Sequence, residues 1–291
     1  MNRKTGKRTL IVLAIVLGLF ASIFLFVKIL VQDNVAVIDK SIKIGLFSWN
    51  SSDDEYSIED LFKLIKKLHV SRLYHSFEDN LDSQYSTDLI KMAANENIEL
   101  YYLAGKSEWG LDENATELKK IIDSIATSNL NIEGITIDVE PYLLKDWQEN
   151  KKEILNSYYL SMQTAYQYAK SNNLRVVLCI PNWLDDVDIK ILEDLIANTC
   201  DEIAIMNYNR KDEIPAIKSE VYLAMKYDKP LECIVEFQDV GTHQLTEDQT
   251  YANDGLGLAI ENFNKLYGFY HYNKIGFAYH YATPLMKMLK Y

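Results

Sequence analysis

Cysteine is scarce in this chain: Cys179, Cys200 and Cys233 are three residues in 291. An odd number without framework spacing excludes a disulfide-stapled scaffold. Cys179 and Cys233 lie in apolar, strand-like runs, so buried free thiols are expected. The five histidines are scattered at positions 69, 75, 243, 271 and 280, and no Cys/His cluster has zinc-ligand spacing. The sequence therefore calls for no metal and no cofactor. A glycine-rich phosphate turn is missing too. Phe47-Ser48-Trp49-Asn50-Ser51, after the first apolar run, contains no glycine, which argues against a nucleotide-binding open sheet. Basic charge is thin beyond residue 31. The first 31 residues hold five of the 30 Lys and Arg and none of the 42 Asp and Glu, which leaves a remainder with net charge −17. Such a surface disfavours nucleic acid and anionic polymers as partners and suits neutral or amino-containing glycans.

What is present begins with an address. Residues 1–9 carry Arg3, Lys4, Lys7 and Arg8 and no acid, and Leu10 to Val27 run 18 residues without a charge. With Lys28 snorkelling, residues 10–31 are long enough for one membrane-spanning helix of about 20 residues. No small-x-small cleavage site is evident, so the segment reads as an uncleaved anchor. The basic tail is then cytoplasmic, 32–41 is a spacer, and 42–291 forms one extracytoplasmic domain on a single-pass membrane protein.

That domain alternates strands and helices. Apolar runs at Ile42–Trp49, Ser71–Phe77, Ile98–Leu103, Gly134–Glu140, Arg175–Pro181, Glu202–Tyr208, Leu231–Phe237 and Lys274–Tyr281 predict eight strands. Helical patterns lie between them, one opened by a Ser57/Asp60 capping box. Another pattern covers Lys151–Asn172, and Glu213–Tyr227 reads as one helix. Eight repeats in roughly 250 residues predict a single (β/α)8 TIM barrel, an α/β fold.

Active sites of such barrels lie at the carboxyl ends of the strands. The fourth strand reads Glu133-Gly134-Ile135-Thr136-Ile137-Asp138-Val139-Glu140-Pro141. Period-two alternation sends Thr136, Asp138 and Glu140 inward and the isoleucines and valine outward. Two carboxylates this close in a low-dielectric interior cannot both ionise cheaply, so one holds a proton. A proton-holding carboxyl is what glycoside hydrolysis requires. Tyr208 on the sixth strand and Glu236 on the seventh complete the candidate catalytic set. Trp49, Trp109, Tyr142, Trp183 and His280 are aromatic groups near strand ends suited to stacking on sugar rings, and Asn207 and Gln238 are polar contacts beside them.

At these residues the chain resembles the family 18 glycoside hydrolases, the chitinase-like TIM barrels. Their fourth strand reads D-G-x-D-x-D-x-E, and Gly134, Asp138 and Glu140 match it. Their M-x-Y-D on strand six is met by Met206 and Tyr208, and their strand-eight tryptophan floor aligns loosely with His280. The resemblance implies Glu140 as general acid. It implies Asp138 and Tyr208 as holders of a 2-acetamido group that itself attacks the anomeric carbon. Thr136 and Asn209 replace two of the family's aspartates, and the third strand ends in Ala104-Gly105-Lys106. The D-x-E segment, with Tyr74-His75-Ser76-Phe77, is also similar to the family 25 lysozymes, but Phe47 and Trp49 stand where their first-strand aspartate belongs. D-V-E-P, I-A-I-M-x-Y and V-E-x-Q segments are similar to uncharacterised bacterial barrel proteins. The expected function is a membrane-anchored hydrolase of a cell-surface or extracellular glycan, probed against two alternatives: a retaining enzyme using Glu140 with Glu236, and a non-catalytic glycan-binding barrel.

Overall fold

A computed structural model describes residues 42–49, 56–77 and 81–290. The expected tail, membrane segment and spacer lie outside these residues, and among the described residues no helix is long and apolar enough to cross a membrane.

Eight parallel strands close into a barrel in chain order. They are β1 (Ile44–Ser48), β2 (Arg72–His75), β3 (Glu99–Ala104), β4 (Gly134–Ile137), β5 (Arg175–Pro181), β6 (Glu202–Met206), β7 (Leu231–Glu236) and β8 (Ile275–His280). Each coincides with an expected strand, mostly trimmed by one to three residues at its ends. β4 and β6 stop early, at Ile137 and Met206, so Asp138, Glu140 and Tyr208 sit in the loops just above the barrel. Asp138 still donates its backbone N–H to the Ala104 carbonyl at 2.9 Å, which keeps it in strand-like register.

The helices are α1 (Ile58–Lys67), α2 (Gln84–Asn95), α3 (Thr116–Thr127), α4 (Trp147–Ser171), α5 (Leu184–Asn198), α6 (Glu213–Ala216), α7 (Lys218–Lys226), α8 (Gly255–Tyr270) and α9 (Ala282–Leu289). α1 starts where its capping box predicts: the Ser57 hydroxyl accepts the Asp60 N–H at 3.2 Å, acids occupy the first turn and lysines the last, in keeping with the helix dipole. Three helices depart from the sequence pattern, among them α5, which begins at Leu184 where the pattern predicts Asp188 and has non-helical backbone at Asp188. α4 begins at Trp147, four residues before the predicted Lys151, and bends at Asn150, whose backbone is non-helical. The predicted Glu213–Tyr227 helix is broken at Ile217 into α6 and α7.

Inside, the barrel is filled in layers. The middle is apolar and aromatic, with Phe47, Tyr74, Tyr101, Val177, Ala204, Ile234 and Ala278 buried together. Beneath it the amino-terminal end is plugged by charge. The Arg72 guanidinium, 1% exposed, reaches Glu202 at 2.6 Å and Glu232 at 2.9 Å. Its Nε also meets Glu99 at 3.1 Å, and the Tyr74 hydroxyl donates to Glu232 at 2.5 Å. Burial pushes the Glu232 carboxyl up to about 7, against the pull of Arg72. Gly45 makes room: a β-carbon there would lie 2.9 Å from a Glu232 carboxylate oxygen.

Removing one partner of a buried ion cluster strands the others in low dielectric. Arg72→Met is expected to lower stability by about 3–5 kcal/mol, and adding Glu202→Gln with Glu232→Gln to recover part of it. Urea denaturation of the single and triple variants measures this; equal stability of wild type and Arg72→Met would remove the plug from its structural role.

Candidate functional site

The carboxyl ends of the strands open into a cleft of about 650 Å³. Its wall brings together Asp138 and Glu140 after β4, Tyr142 two residues on, Trp183 after β5, Tyr208 after β6, Glu236 and Gln238 at the end of β7, His280 at the end of β8 and Trp49 after β1. Nine of the eleven sequence-predicted site residues therefore share one space.

Asp138 occupies its floor. Gly105, just past β3, allows this, since a β-carbon there would fall 1.8 Å from the Asp138 carbonyl oxygen. Asp138 Oδ1 is buried without a hydrogen-bond partner, and so is the Thr136 hydroxyl two residues before it. Burial, and then the neighbouring Glu140 charge, raise the Asp138 carboxyl to about 7; His280 and a hydrogen bond from the Cys179 thiol pull the other way. Burial holds that thiol well above its ordinary range, so it remains an S–H donor. Glu140 is held by the Tyr142 hydroxyl, which donates to its Oε2. The Tyr142 ring packs edge-on against Trp183 at 4.9 Å between centroids. Tyr208 stays a phenol, because burial and then the charges of Glu236, Asp138 and Glu140 raise it.

Glu236 has a different environment. Its Oε1 accepts the backbone N–H groups of Phe237 and Gln238, both at 2.8 Å. Its Oε2 accepts from Gln238 Nε2 at 3.2 Å and meets His280 Nδ1 at 2.7 Å. Burial opposes ionisation here, but the His280 charge and these hydrogen bonds hold the carboxyl below its usual range. A carboxylate saturated by donors is built to orient its neighbour; it is poorly placed to attack a sugar as the retaining alternative requires.

Two predicted contacts do not line the cleft. Trp109 lies in a 3₁₀ turn, Ser107–Leu111, that packs on α4: Ser161 donates to its carbonyl at 3.0 Å, and Lys106 covers its ring at 5.6 Å. Asn207 is 2% exposed, and its amide donates to the Glu213 carbonyl at 3.1 Å, fixing the β6 loop to α6. Period-two alternation explains the second case: Met206 and Tyr208 face the cleft, so Asn207 between them faces away. His75 is likewise on the outer side, buried against Ser48 at 3.0 Å. Sequence reasoning missed the part of the wall supplied by the loop after β7, His243, Leu245 and Gln249, where no periodic signal exists. All three cysteines are free and buried, and among the described residues no cluster of three acids, histidines or cysteines is arranged to hold a metal.

No family model and no curated protein matches the sequence. Solved structures do match in shape. A domain assigned to a chitinase of Desulfitobacterium hafniense is 17% identical with a TM-score of 0.51, over 67% of this chain and 66% of that one. Several of the solved neighbours are chitinase-like or other glycoside hydrolase barrels. The spore cortex-lytic enzyme SleL of Bacillus megaterium aligns over 85% of this chain and 73% of its own, at 12% identity and a TM-score of 0.55. The D-psicose 3-epimerase of Clostridium cellulolyticum shares the barrel as well, at 12% identity and a TM-score of 0.51 over 82% of this chain and 85% of that one. The chain thus spans just under two thirds of the first of these domains, and likeness at such identities establishes the fold. Chemistry has to be argued from the cleft.

Asp138 supplies a measurable signature. Its folded pKa lies above the ordinary carboxylate value of about 3.9, so between about pH 4 and 7 the folded chain keeps a proton that the unfolded chain releases. Folding stability therefore falls as pH rises through that window and levels off above it. Asp138→Asn is expected to flatten this slope, and at pH 8 to recover on the order of 1–3 kcal/mol. Denaturation at pH 4, 6 and 8 checks it; identical slopes in the two proteins would refute a buried, proton-holding Asp138.

Proposed function

We propose that this protein is a membrane-anchored glycoside hydrolase acting on a cell-surface or extracellular glycan that contains an N-acetyl amino sugar. The observation that carries the reading is the Asp138–Glu140 pair on the floor of an aromatic cleft at the catalytic end of a TIM barrel. Asp138 keeps a proton to about neutrality, and Glu140 beside it faces the same space. A close pair of carboxyl groups that holds one proton can supply that proton to a leaving group and leave a carboxylate to steady the developing charge.

In the proposed reaction the one proton held by the Asp138–Glu140 pair passes from Asp138 to Glu140, which delivers it to the glycosidic oxygen as the bond to the anomeric carbon breaks. The 2-acetamido carbonyl oxygen of the same sugar closes onto that carbon, giving a cyclic oxazolinium ion and the free alcohol of the departing sugar. Asp138 accepts from the acetamide nitrogen and Tyr208 donates to its oxygen. Water, deprotonated by Glu140, then opens the ring and restores the starting protonation state. Glu236 takes no covalent part, consistent with its four donors. Trp49, Tyr142 and Trp183 offer ring faces to the sugars.

Glu140→Gln is isosteric and removes only the transferable proton. General acid catalysis contributes typically 10²–10⁴-fold, so turnover of a panel of N-acetyl amino sugar oligosaccharides by the full-length protein should drop about that much with unchanged thermal stability. A variant as active as wild type would sink the assignment. The unpartnered Thr136 hydroxyl, standing where the resembled family places an aspartate, favours a second reading, a glycan-binding barrel without turnover. It predicts that wild type binds the same panel without cleaving it, and that Asp138→Asn and Glu140→Gln bind equally well.

The proposed address places the barrel on the outer face of the membrane through residues 10–31. Protease added to intact cells is then expected to degrade the barrel and leave a membrane-bound fragment carrying residue 1. A barrel that resists protease until the cells are lysed would place it on the wrong side.

A further inference from the structure

Glu236, buried, and His280, partly buried, are titratable groups that the proposed reaction leaves without a task. Glu236 is fixed by its four donors, and it in turn fixes His280 through Nδ1 at 2.7 Å. The other ring nitrogen, Nε2, is met by Trp49 Nε1 at 3.4 Å. Both rings line the cleft. An indole N–H is a donor only, so this contact exists as a hydrogen bond only while Nε2 is an acceptor, with the imidazole neutral and its proton on Nδ1.

Protonation changes the geometry's meaning. His280 Nε2 then carries a hydrogen of its own, and two N–H groups from β8 and the end of β1 converge on one region of the cleft. Among the described residues the contact between them is the one hydrogen bond that either of these two atoms makes. The surroundings favour the protonated state despite burial: Glu236 comes first, by charge and by hydrogen bond, followed by Asp138 and Glu140 from the loop after β4. The remaining neighbours of the ring are Tyr208 from the β6 loop at 6.2 Å, Tyr281 at 5.1 Å and the apolar Phe47 at 5.9 Å between centroids. None of these adds positive charge.

We propose that Trp49 Nε1–H and His280 Nε2–H form a two-donor seat for one uncharged acceptor oxygen of the glycan, a carbonyl or hydroxyl oxygen, open when His280 is protonated and closed on itself when it is not. The proposal rests on the glycan reading above and adds to it a specificity-determining contact opposite the Asp138–Glu140 pair. An uncharged acceptor suits the site, since Glu236 already neutralises the imidazolium and the domain as a whole is acidic. Glu236 is a positioning residue that sets which form of His280 prevails.

Two measurements on the full-length protein in detergent test the seat. The first needs no ligand: ¹⁵N-histidine NMR titration of His280. Trp49 donates to the neutral ring only, so Trp49→Phe should raise the His280 midpoint by about half a unit, and Glu236→Gln should lower it; an unchanged midpoint in Trp49→Phe would overturn the hydrogen bond and the proposal with it. The second uses the β-1,4-linked N-acetylglucosamine tetramer with the Glu140→Gln variant. Hydrogen bonds to charged groups contribute enough to expect about tenfold weaker binding as pH rises through the His280 midpoint. Trp49→Phe should bind about tenfold more weakly at low pH and keep only the smaller pH dependence that the His280 donor carries alone, while Glu236→Gln should shift the binding midpoint down together with the His280 titration. Binding whose midpoint ignores Glu236→Gln, or a Trp49→Phe affinity within twofold of its parent, would overturn the seat and leave the glycan reading intact. No binding of the tetramer at any pH, with the NMR shifts as expected, would instead overturn the N-acetyl amino sugar reading and the ligand assigned to the seat.

Discussion

The buried guanidinium of Arg72 ties together parts of the barrel that the strand hydrogen bonds do not. Neighbouring strands pair around the circumference, but Arg72 on β2 reaches across the interior to Glu202 on β6 and Glu232 on β7. The Tyr74 hydroxyl adds a further link to Glu232. An ion cluster in low dielectric is stable only with each charge satisfied. The register of these strands is therefore constrained, because a slip of one residue would turn the charged side chains out toward the helices. The fixed register is what delivers Asp138, Glu236 and His280 to the opposite end.

The two ends of the barrel treat their polar groups differently. At the amino-terminal end the four groups Arg72, Tyr74, Glu202 and Glu232 hydrogen-bond to one another, and the one oxygen left over, Glu202 Oε2, has the Arg175 guanidinium at 3.6 Å. At the carboxyl end Asp138 Oδ1 and the Thr136 hydroxyl are buried with no partner. Buried polar groups in folded proteins are almost always satisfied, and exceptions concentrate where function requires them. Glu236 lines the same cleft as Asp138 yet has four donors. That contrast within one cleft, more than the presence of three acids, separates the group suited to meet a substrate from the group that positions its neighbour.

The sequence made much of this visible, through one rule. Period-two alternation in Thr136-Ile137-Asp138-Val139-Glu140, combined with the barrel's topology, was sufficient to put both carboxyl groups at the rim. The same rule, applied to Met206-Asn207-Tyr208, separates Tyr208 from Asn207, which the structure buries against α6. Proximity to a strand end was the weaker criterion, and it misplaced Trp109, whose loop folds back onto α4 before it can reach the cleft. The charged plug was not legible. Arg72, Glu202 and Glu232 stand at or next to the first residue of their strands, where a charge ordinarily reads as a solvated end. Only the closed barrel, which turns those ends inward toward each other, makes them a cluster. Nor could any pattern foretell that Glu236 would find its donors in the backbone just after it, since a hydrogen bond from Phe237 depends on the turn the chain takes there.

The departures from the chitinase-like pattern are coupled to one another through proton placement. Where the resembled family has an aspartate, Thr136 offers Asp138 no charge to share. The proton that Asp138 retains toward neutrality is therefore governed by burial and by Glu140, with the Cys179 thiol and His280 as the opposing influences. His280, where the resemblance places a tryptophan, contributes a positive charge that lowers Asp138 and is itself held by Glu236. A neutral residue in place of one acid and a cation in place of a ring thus act in the same direction on that carboxyl group, both favouring its ionised form. The cleft keeps a proton on Asp138 near neutrality because burial exceeds the sum of the opposing influences, and Glu236 sets how large the cationic share of that opposition is. Proton storage on β4 is in this way linked, through His280, to a carboxylate on β7 that never needs to touch the substrate.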